Sequence, residues 1–289
     1  MQNWLKRAEG DLNRIIGPEL VQQVFGEHVT KLPSLRSVVV ATPGYVLMEA
    51  DWKQAEMFVL AGLSGDRTMW DALTTPGRDL HDLTAITAFN IEVIGPDGNV
   101  VPDQYLLDMA ASDPNWADDD SPFQKFQKEL IYVDPRGRRL TRKEFKSGIR
   151  VSAKNLNFGI PYGRGALDIA IQVKAETGTD APIQQIEDEI RQMMATWKTV
   201  TYPDAWKFME DCADTVVDPT YLTNPWGRQR RFPWPPVSER DMIAKLGREA
   251  QNFPIQSTVA DTCLIALWKM AHYREEHGLH FRIVNQIHD

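Results

Sequence analysis

The sequence has little cysteine and no long apolar segment. Its two cysteines among 289 residues, Cys212 and Cys263, match neither a metal-ligand spacing nor a CxxC motif. This disfavours a disulfide-stabilised secreted domain, and we interpret both residues as reduced thiols packed as small apolar groups. No apolar run approaches the roughly 20 residues that span a bilayer, and residues 1–14 lack the apolar segment of a signal peptide. The sequence therefore predicts a cytoplasmic protein with no membrane partner.

Net positive charge is also lacking. The chain carries 32 Lys and Arg against 40 Asp and Glu, a formal charge of −8, which by itself disfavours a nucleic-acid partner. Residues 125–154, however, contain ten basic and three acidic side chains, so this window carries +7 and the remainder −15. Arg228, Arg230 and Arg231 form a second basic cluster. Either run alone is typical of a solvated surface, yet one basic face on an acidic protein is compatible with a phosphate-bearing partner.

What is present is the pattern of a soluble, largely helical protein with a few strands. Strong β-formers on both sides of Pro43-Gly44 predict a β-hairpin over 37–51, which places Asp51 where a strand is followed by a helix. The stretch 91–122, rich in Pro, Gly and Asp, predicts an irregular insertion. Apolar spacing and turn residues predict helices over 53–63, within 164–217 and over 238–276, a short hairpin over 221–236, and a strand over 281–287.

One short segment, RVSAKNLNFGIPYG at 150–163, combines charge and aromatic rings in one register. Arg150, Lys154, Phe158 and Tyr162 are four residues apart, so on a helix each lies about 40° from the last and all share one face. A core face would be aliphatic, and a solvated face would rarely include Phe and Tyr. This face predicts a binding site for a ligand that has a polyanion at one end and a ring at the other.

Four motifs occur in a fixed order along the chain. They are DWKQAEMFVLAGLSGD at 51–66, RVSAKNLNFGIPYG at 150–163, REAQNFPIQSTVAD at 248–261 and IVNQIHD at 283–289. Together they resemble the polymerase domain of family A DNA polymerases, the DNA polymerase I type, which includes bacteriophage members. One such motif is weak evidence, but four in order, each on a suitable element, are hard to obtain by chance.

The resemblance implies an α/β (α+β) fold of right-hand polymerase architecture, with mostly helical fingers on a small antiparallel palm sheet. The palm is expected over 1–66 and 241–289, and the fingers over 67–240 with an irregular insertion at about 91–145. No segment resembles the family's thumb or exonuclease domain. Because the first residues resemble the end of one family motif and the last lie partway through another, we expect an incomplete fragment, inactive alone. The missing segments would then be supplied in cis or as separate chains.

The implied activity is DNA-templated DNA synthesis, in which a primer 3′-hydroxyl attacks the α-phosphate of a dNTP. Two Mg²⁺ ions, with Mn²⁺ as an alternative, suit this reaction, because hard cations bind carboxylate and phosphate oxygens. The family's metal-binding aspartates correspond to Asp51 and Asp289, which would meet if their strands pair. Lys154 completes the expected catalytic set.

The resemblance also assigns binding residues one by one. Arg150 and Lys154 would hold the triphosphate, Phe158 and Tyr162 would line the base and sugar, and Gly159 and Gly163 would leave room for close approach. Pro161 departs from the family's aliphatic residue and is expected to bend the helix before Tyr162. The other expected nucleotide contacts are Gln54, Glu56, which resembles a steric gate against a ribose 2′-hydroxyl, and His81. The expected contacts to primer-template DNA are Gln2, Asn3, Arg248, Asn252, Gln256 and His288.

Two alternatives stay open at this point. A single-subunit RNA polymerase shares the aspartates and the Lys-to-Tyr-Gly helix, although Glu56 and the Phe158-Gly159 pair favour DNA synthesis. A non-catalytic DNA-binding subunit of the same fold would not need Asp51, Lys154 and Asp289.

Overall fold

The computed structural model describes residues 19, 20, 23, 40–218, 220–233 and 239–286. The chain divides into two compact units, one made of 1–53 and 263–289 and the other of 54–262. Within the described ranges, no helix combines the length and the apolar character that a bilayer span requires.

The larger unit begins with three short helices, α1 (Ala55–Ser64), α2 (Arg67–Thr74) and α3 (Leu80–Phe89). Aspartates begin the second and third, since Asp66 accepts from an N–H of α2 and Asp79 accepts from two N–H groups of α3. Such caps satisfy donors that the first turn of a helix leaves unpaired. The predicted helix over 53–63 is confirmed by α1.

The expected irregular insertion is instead built from regular elements. It contains β1 (Glu92–Ile94), α4 (Asp103–Ser112), α5 (Pro122–Glu129), β2 (Ile131–Val133), β3 (Arg139–Thr141) and α6 (Arg142–Ser147). The strands form an antiparallel sheet in the order β1-β2-β3, in which Val93 pairs with Tyr132 and Tyr132 with Leu140. The prediction of irregular structure was wrong because the turn residues lie between short elements, and strands of three residues give too little alternation to detect.

Helices then follow one another closely. They are α7 (Ile149–Gly159), α8 (Ala166–Thr177), α9 (Ile183–Thr196), a π-helical turn (Trp197–Thr201) and α10 (Pro203–Asp214), which confirms the helical prediction for 164–217. Their apolar faces form one core with α1 to α3, in which Leu60, Leu156, Ile169 and Trp197 have no exposed surface. Cys212 on α10 and Cys263 are buried, as predicted for small apolar groups, and burial raises the pKa of Cys212 to about 12.

The predicted hairpin near 221–236 and the helix at 238–276 are also confirmed. β4 (Tyr221–Thr223) pairs antiparallel with β5 (Gln229–Arg231), and α11 runs from Arg240 to Glu276 with Pro254 inside it. A second, small core of Val216, Phe232, Leu246 and Ala250 packs α11 against the hairpin. The protein is therefore mostly helical with small antiparallel sheets, as expected.

Two predicted strands are absent from the described residues of the smaller unit. Pro43 and Gly44 form the predicted turn, and the Tyr45 N–H donates to the Thr42 carbonyl at 2.9 Å, but the described residues 40–53 form no strand. Residues 281–286 form none either. Val46 and Met48 are 86% and 90% exposed. A sequence with high β-propensity forms a strand only when another strand accepts and donates its backbone hydrogen bonds, and these described segments have no such partner.

Asp66 joins the starts of two helices that are distant in sequence. Its buried carboxylate accepts from the N–H of Met69 at 2.9 Å and from the N–H of Ala205, at the start of α10, at 3.2 Å. Burial raises the Asp66 pKa, and the two backbone hydrogen bonds oppose that rise. One side chain therefore satisfies donors from α2 and α10 at once.

We expect Asp66→Ala to lower the free energy of unfolding by about 2 kcal/mol, because it removes a helix cap and leaves a buried N–H of α10 unpaired. Asp180→Ala is the matched control, since Asp180 is exposed and its change should stay within about 0.5 kcal/mol. Urea unfolding followed by circular dichroism measures both. Equal, small effects would contradict the proposed link between α2 and α10.

Candidate functional site

The N-terminal end of α7 is anchored by ion pairs to the start of α3. Arg150 Nε lies 2.6 Å from Asp82 and its Nη2 lies 2.8 Å from Asp79. Asp82 also binds Arg142 on α6, at 2.7 Å, so one carboxylate bridges two arginines. Burial by itself raises the Asp79 pKa, but the charge of Arg150 and the N–H of Asp82 outweigh burial and hold that pKa below its usual value. This carboxylate therefore stabilises the fold above the ordinary aspartate pKa of about 3.9, and the contribution is lost as pH falls through the lower folded pKa.

Lys154 differs from Arg150 in having no partner among the described residues. It lies one turn further along α7, is exposed, and forms no hydrogen bond or ion pair with the described residues. The predicted pair of cations therefore has unequal roles in this structure. Arg150 holds α7 to α3, whereas the Lys154 ammonium is available to an anion.

His81 lies between the side-chain amides of Asn157, near the C-terminal end of α7, and of Gln54, just before α1. The Asn157 amide is 3.0 Å from Nδ1 of the His81 ring, and the Gln54 amide is 3.1 Å from Nε2. Trp197, whose indole N–H can only donate, donates to Asn157 Oδ1 at 2.8 Å and so fixes which way that amide faces. Asn157 Nδ2 must then donate to His81 Nδ1. In the neutral ring the proton consequently sits on Nε2, and the Gln54 amide, whose nitrogen lies 3.1 Å away and cannot accept, must turn its oxygen toward that N–H.

The aromatic part of the predicted face packs on this histidine. The Phe158 and His81 ring centroids are 5.6 Å apart with a 51° tilt, and Phe158 is partly buried. Gln54, beside them, adopts a left-handed backbone conformation with φ of 56° at the start of α1. The structure thus brings together three predicted site residues from three segments of the chain.

Tyr162 lies outside the helix that was expected to carry it. α7 ends at Gly159, and Pro161, which has no N–H to continue the helical ladder, leads into a turn. The prediction of one face of four residues was therefore wrong at its last position. From the turn, the Tyr162 hydroxyl donates to Glu56 at 2.5 Å, and Gln256 on α11 donates to the same Glu56 oxygen at 2.5 Å.

Gly159 and Gly163 leave room for neighbouring protein side chains and not for a ligand. A Cβ on Gly159 would lie 2.7 Å from Ile169, so the glycine lets α7 pack on α8. Gly163 has φ of +67°, and a Cβ there would lie 2.8 Å from the Arg248 side chain. The expectation of open space for a nucleotide at these two positions is corrected accordingly.

Three predicted DNA contacts lie along α11. Arg248, Asn252 and Gln256 are four residues apart, which places them on one side of the helix. Arg248 is exposed, and Asn252 Oδ1 is buried without a hydrogen-bond partner among the described residues. A buried acceptor without a donor costs free energy, so Asn252 marks a place where a polar partner would be favourable.

Asp51 lies in the smaller unit, where it is exposed and forms no hydrogen bond with a described residue. Within the described part of the chain, no three His, Cys, Asp or Glu side chains cluster as a metal site. The other predicted site residues, Gln2, Asn3, His288 and Asp289, lie outside the described residues.

The sequence reasoning missed the residues that support the site. Asp79, Asp82 and Asn157 were not singled out, although an Asp before a helical segment is a recognisable cap signal. Thr84 and Tyr202 complete a buried network, with hydroxyl groups 2.9 Å apart and the Thr84 hydroxyl 2.9 Å from the Asn157 amide nitrogen. Their role depends on contacts between residues more than 70 positions apart, for which a single sequence carries no signal.

Comparison with known proteins gives a consistent result over most of the chain. The model of the family described as DNA polymerase family A matches residues 21–97 and 137–289. The chain is 26% identical over 256 residues to the chloroplastic and mitochondrial DNA polymerase I A of Arabidopsis thaliana, and 27% identical over 255 residues to the thermostable DNA polymerase I of Thermus filiformis. Each match covers 88% of this chain, but 21% and 23% of the respective relative. The chain thus spans about a fifth of the length of these relatives.

A solved structure shares the fold. It is the POL domain of Pol1 from M. smegmatis, in complex with DNA primer-template and dNTP. The match has a TM-score of 0.54 and 23% identity, and covers 89% of this chain and 37% of that chain.

The Asn157 contact yields a spectroscopic prediction. In the wild-type chain at about pH 8, above the ordinary histidine pKa of about 6.5, ¹⁵N shifts should place the His81 proton on Nε2. Asn157→Asp can only accept a hydrogen bond, so it should move the proton to Nδ1, while Asn157→Leu should give a mixture. His81→Gln identifies the signal. The same shifts in all three chains would mean that Asn157 does not set the tautomer.

Proposed function

The chain belongs to DNA polymerase family A, and we propose that it supplies the nucleotide-binding part of a DNA-directed DNA polymerase. The proposed reaction is addition of a dNTP to the 3′ end of a primer on a DNA template. The observation that carries this proposal is the arrangement along α7. Arg150 is ion-paired to α3, Lys154 has no partner among the described residues, and Phe158 further along packs on His81. α7 therefore carries cations that suit an anionic group and, next to them, an aromatic side chain that suits a ring.

The triphosphate is proposed to bind Lys154 and Arg150. Lys154 offers three donors without competition from a described residue. Arg150 uses its Nε and Nη2 groups on Asp82 and Asp79, but its Nη1 group forms no hydrogen bond with a described residue. An arginine with five N–H donors can therefore keep both carboxylates and still bind a phosphate oxygen.

We propose that the sugar of the incoming nucleotide contacts Glu56. Its carboxylate is 7% exposed and is held by Tyr162 and Gln256, so it cannot rotate away from a substrate without breaking two hydrogen bonds. A fixed side chain of this size can exclude a 2′-hydroxyl by bulk. Tyr162 then acts as a positioning residue for Glu56 as well as a wall of the site.

The divalent metals are proposed to bind through oxygen ligands. Asp51 presents carboxylate oxygens that no described residue occupies, and this donor type fits Mg²⁺ or Mn²⁺. Asp289 is proposed as the second ligand. Such ions, when bound, activate the attacking hydroxyl and stabilise the leaving oxygen. The carboxylate of Asp51 would hold such an ion, and Lys154 would neutralise phosphate charge.

Primer-template DNA is proposed to lie along α11. Arg248, Asn252 and Gln256 share a side of this helix, and the minor groove offers similar acceptors at every base pair, so such contacts can follow a duplex without reading its sequence. Gln2, Asn3 and His288 are proposed as further DNA contacts. The division into palm at 1–66 and 241–289 and fingers at 67–240, and the need for further polymerase segments, remain part of this proposal.

The two alternatives are less well supported. An RNA polymerase would have to accept a 2′-hydroxyl near Glu56, which is buried and held by two partners. A non-catalytic DNA-binding subunit would gain nothing from an exposed Asp51 and Lys154 that have no partner among the described residues.

Primer extension tests the proposed reaction. In a polypeptide that contains this chain and the remaining polymerase segments, Asp51→Asn should slow Mg²⁺-dependent extension by at least about a hundredfold, a loss of about 2.7 kcal/mol of transition-state stabilisation. Primer-template affinity should change little, because the residue is proposed to bind metal and not DNA. Asp180→Asn is the control. Undiminished extension by the Asp51 variant would remove it from the site.

Sugar selection tests Glu56 separately. Glu56→Ala should let ribonucleotides enter by removing bulk, whereas Glu56→Gln keeps the bulk and should still exclude them. Competitive incorporation of ATP and dATP measures this ratio, and a change of about tenfold corresponds to 1.36 kcal/mol. Phe158→Tyr should in parallel ease entry of dideoxynucleotides, if its ring faces the 3′ side. An identical ratio in the Ala and Gln variants would show that Glu56 is not the gate.

A further inference from the structure

An open cleft of about 580 Å³ lies on the basic side of the larger unit, apart from the residues assigned above. Its lining contains neither an acidic nor an aromatic residue. α5 contributes one lysine, and α6 with its N-cap and last residue contributes the rest: Lys128, Thr141, Arg142, Lys143, Lys146 and Ser147.

The lysines of this cleft form no ion pair with a residue in the described part of the chain. Lys143 and Lys146 are exposed and form no hydrogen bond or ion pair with any residue that the structure describes. Lys128 donates to the backbone carbonyl of Asp119 at 2.8 Å. Partial desolvation of the Lys146 ammonium, followed by the charge of Arg142, lowers the Lys146 pKa.

Two acids beside the cleft, Glu144 and Asp82, are already engaged. Glu144 accepts from the N–H and hydroxyl of Thr141 in a capping box, and Asp82 bridges Arg142 and Arg150. Arg142 Nε, in turn, is buried and has no acceptor among the described residues. The cleft therefore combines unpaired positive charge with an unsatisfied donor in one of its lining side chains.

We propose that this cleft is a second anion site, which binds the polyphosphate group of an incoming nucleoside triphosphate or released pyrophosphate. Asp82 joins Arg142 of the cleft to Arg150 of α7, so the cleft adjoins the end of α7 at which the triphosphate is proposed to bind. Its volume is in the range of small-ligand pockets. Extended binding of a single strand would call for aromatic side chains on which bases stack, and the lining has none.

The proposal goes beyond the site on α7 because it uses different side chains. Lys128 belongs to the segment between residues 97 and 137, which the family model does not match. Binding to the cleft can therefore be measured without polymerase activity, and its failure would leave the proposed reaction unaffected.

Calorimetric titration of the 289-residue chain with sodium tripolyphosphate, in buffer without divalent ions, tests the cleft. We expect two sites in the wild-type chain and one in Lys154→Ala, which weakens the α7 site. In that background, Lys143→Gln/Lys146→Gln should lower the remaining affinity at least about tenfold. Arg191→Gln/Lys207→Gln is the matched control, because it removes the same charge from exposed cations that are already ion-paired. The affinity of this control variant for tripolyphosphate should stay within about twofold of that of Lys154→Ala.

The source of the polyphosphate is distinguished by further titrations in the Lys154→Ala background. Equal affinities for pyrophosphate and dATP would show that the cleft recognises the phosphates alone and can bind either ligand. Tighter binding of dATP would assign the cleft to nucleotide entry. Tighter binding of pyrophosphate would assign it to product release. The inference would be overturned if Lys143→Gln/Lys146→Gln and the control gave equal affinities for tripolyphosphate. It would also be overturned if the cleft variant weakened primer-template binding and left tripolyphosphate binding intact, since the cleft would then be a nucleic-acid surface.

Discussion

The polar junction between α3 and α7 is the contact on which the rest of the candidate site depends. Asp79 and Asp82 hold Arg150 at one end of the junction, and Asn157 holds His81 at its middle. Buried polar groups are costly unless each finds a partner, and these groups satisfy one another. A slip of α7 along α3 would break several of these bonds at once, so the junction fixes where Lys154 and Phe158 lie.

This junction also separates two kinds of positive charge. Arginines 142 and 150 are largely buried and paired with carboxylates, so they serve as structural elements, while lysines 143, 146 and 154 are exposed and unpaired among the described residues. Arginine suits the first role because its planar group forms several directed hydrogen bonds. Lysine suits the second as a mobile charge. The excess of +7 in this window is therefore available mainly through its lysines, on α7 and in the adjoining cleft.

Much of the fold could be predicted from local pattern. The helix at 55–64, the helices within 164–217, the hairpin at 221–231 and the helix from 240 follow from apolar spacing and turn residues, which act over a few positions. The predicted strands near 45–51 and 281–287 are absent from the described residues because a strand requires a partner, which local sequence cannot supply. The sheet at 92–141 was missed for the opposite reason, since its three-residue strands are defined by pairing and not by pattern.

The sequence by itself determined which chemical groups are available and in what order: a charged and aromatic segment, a proline near its end, and a set of motifs before and after it. Only the tertiary structure decided which groups meet. Glu56 contacts Tyr162 across 106 positions and Gln256 across 200, and Arg150 is committed to two aspartates about 70 positions away. Such pairs are set by packing of whole helices, because a side chain's nearest partners depend on how its helix is placed and rotated. Local propensity carries no information on either.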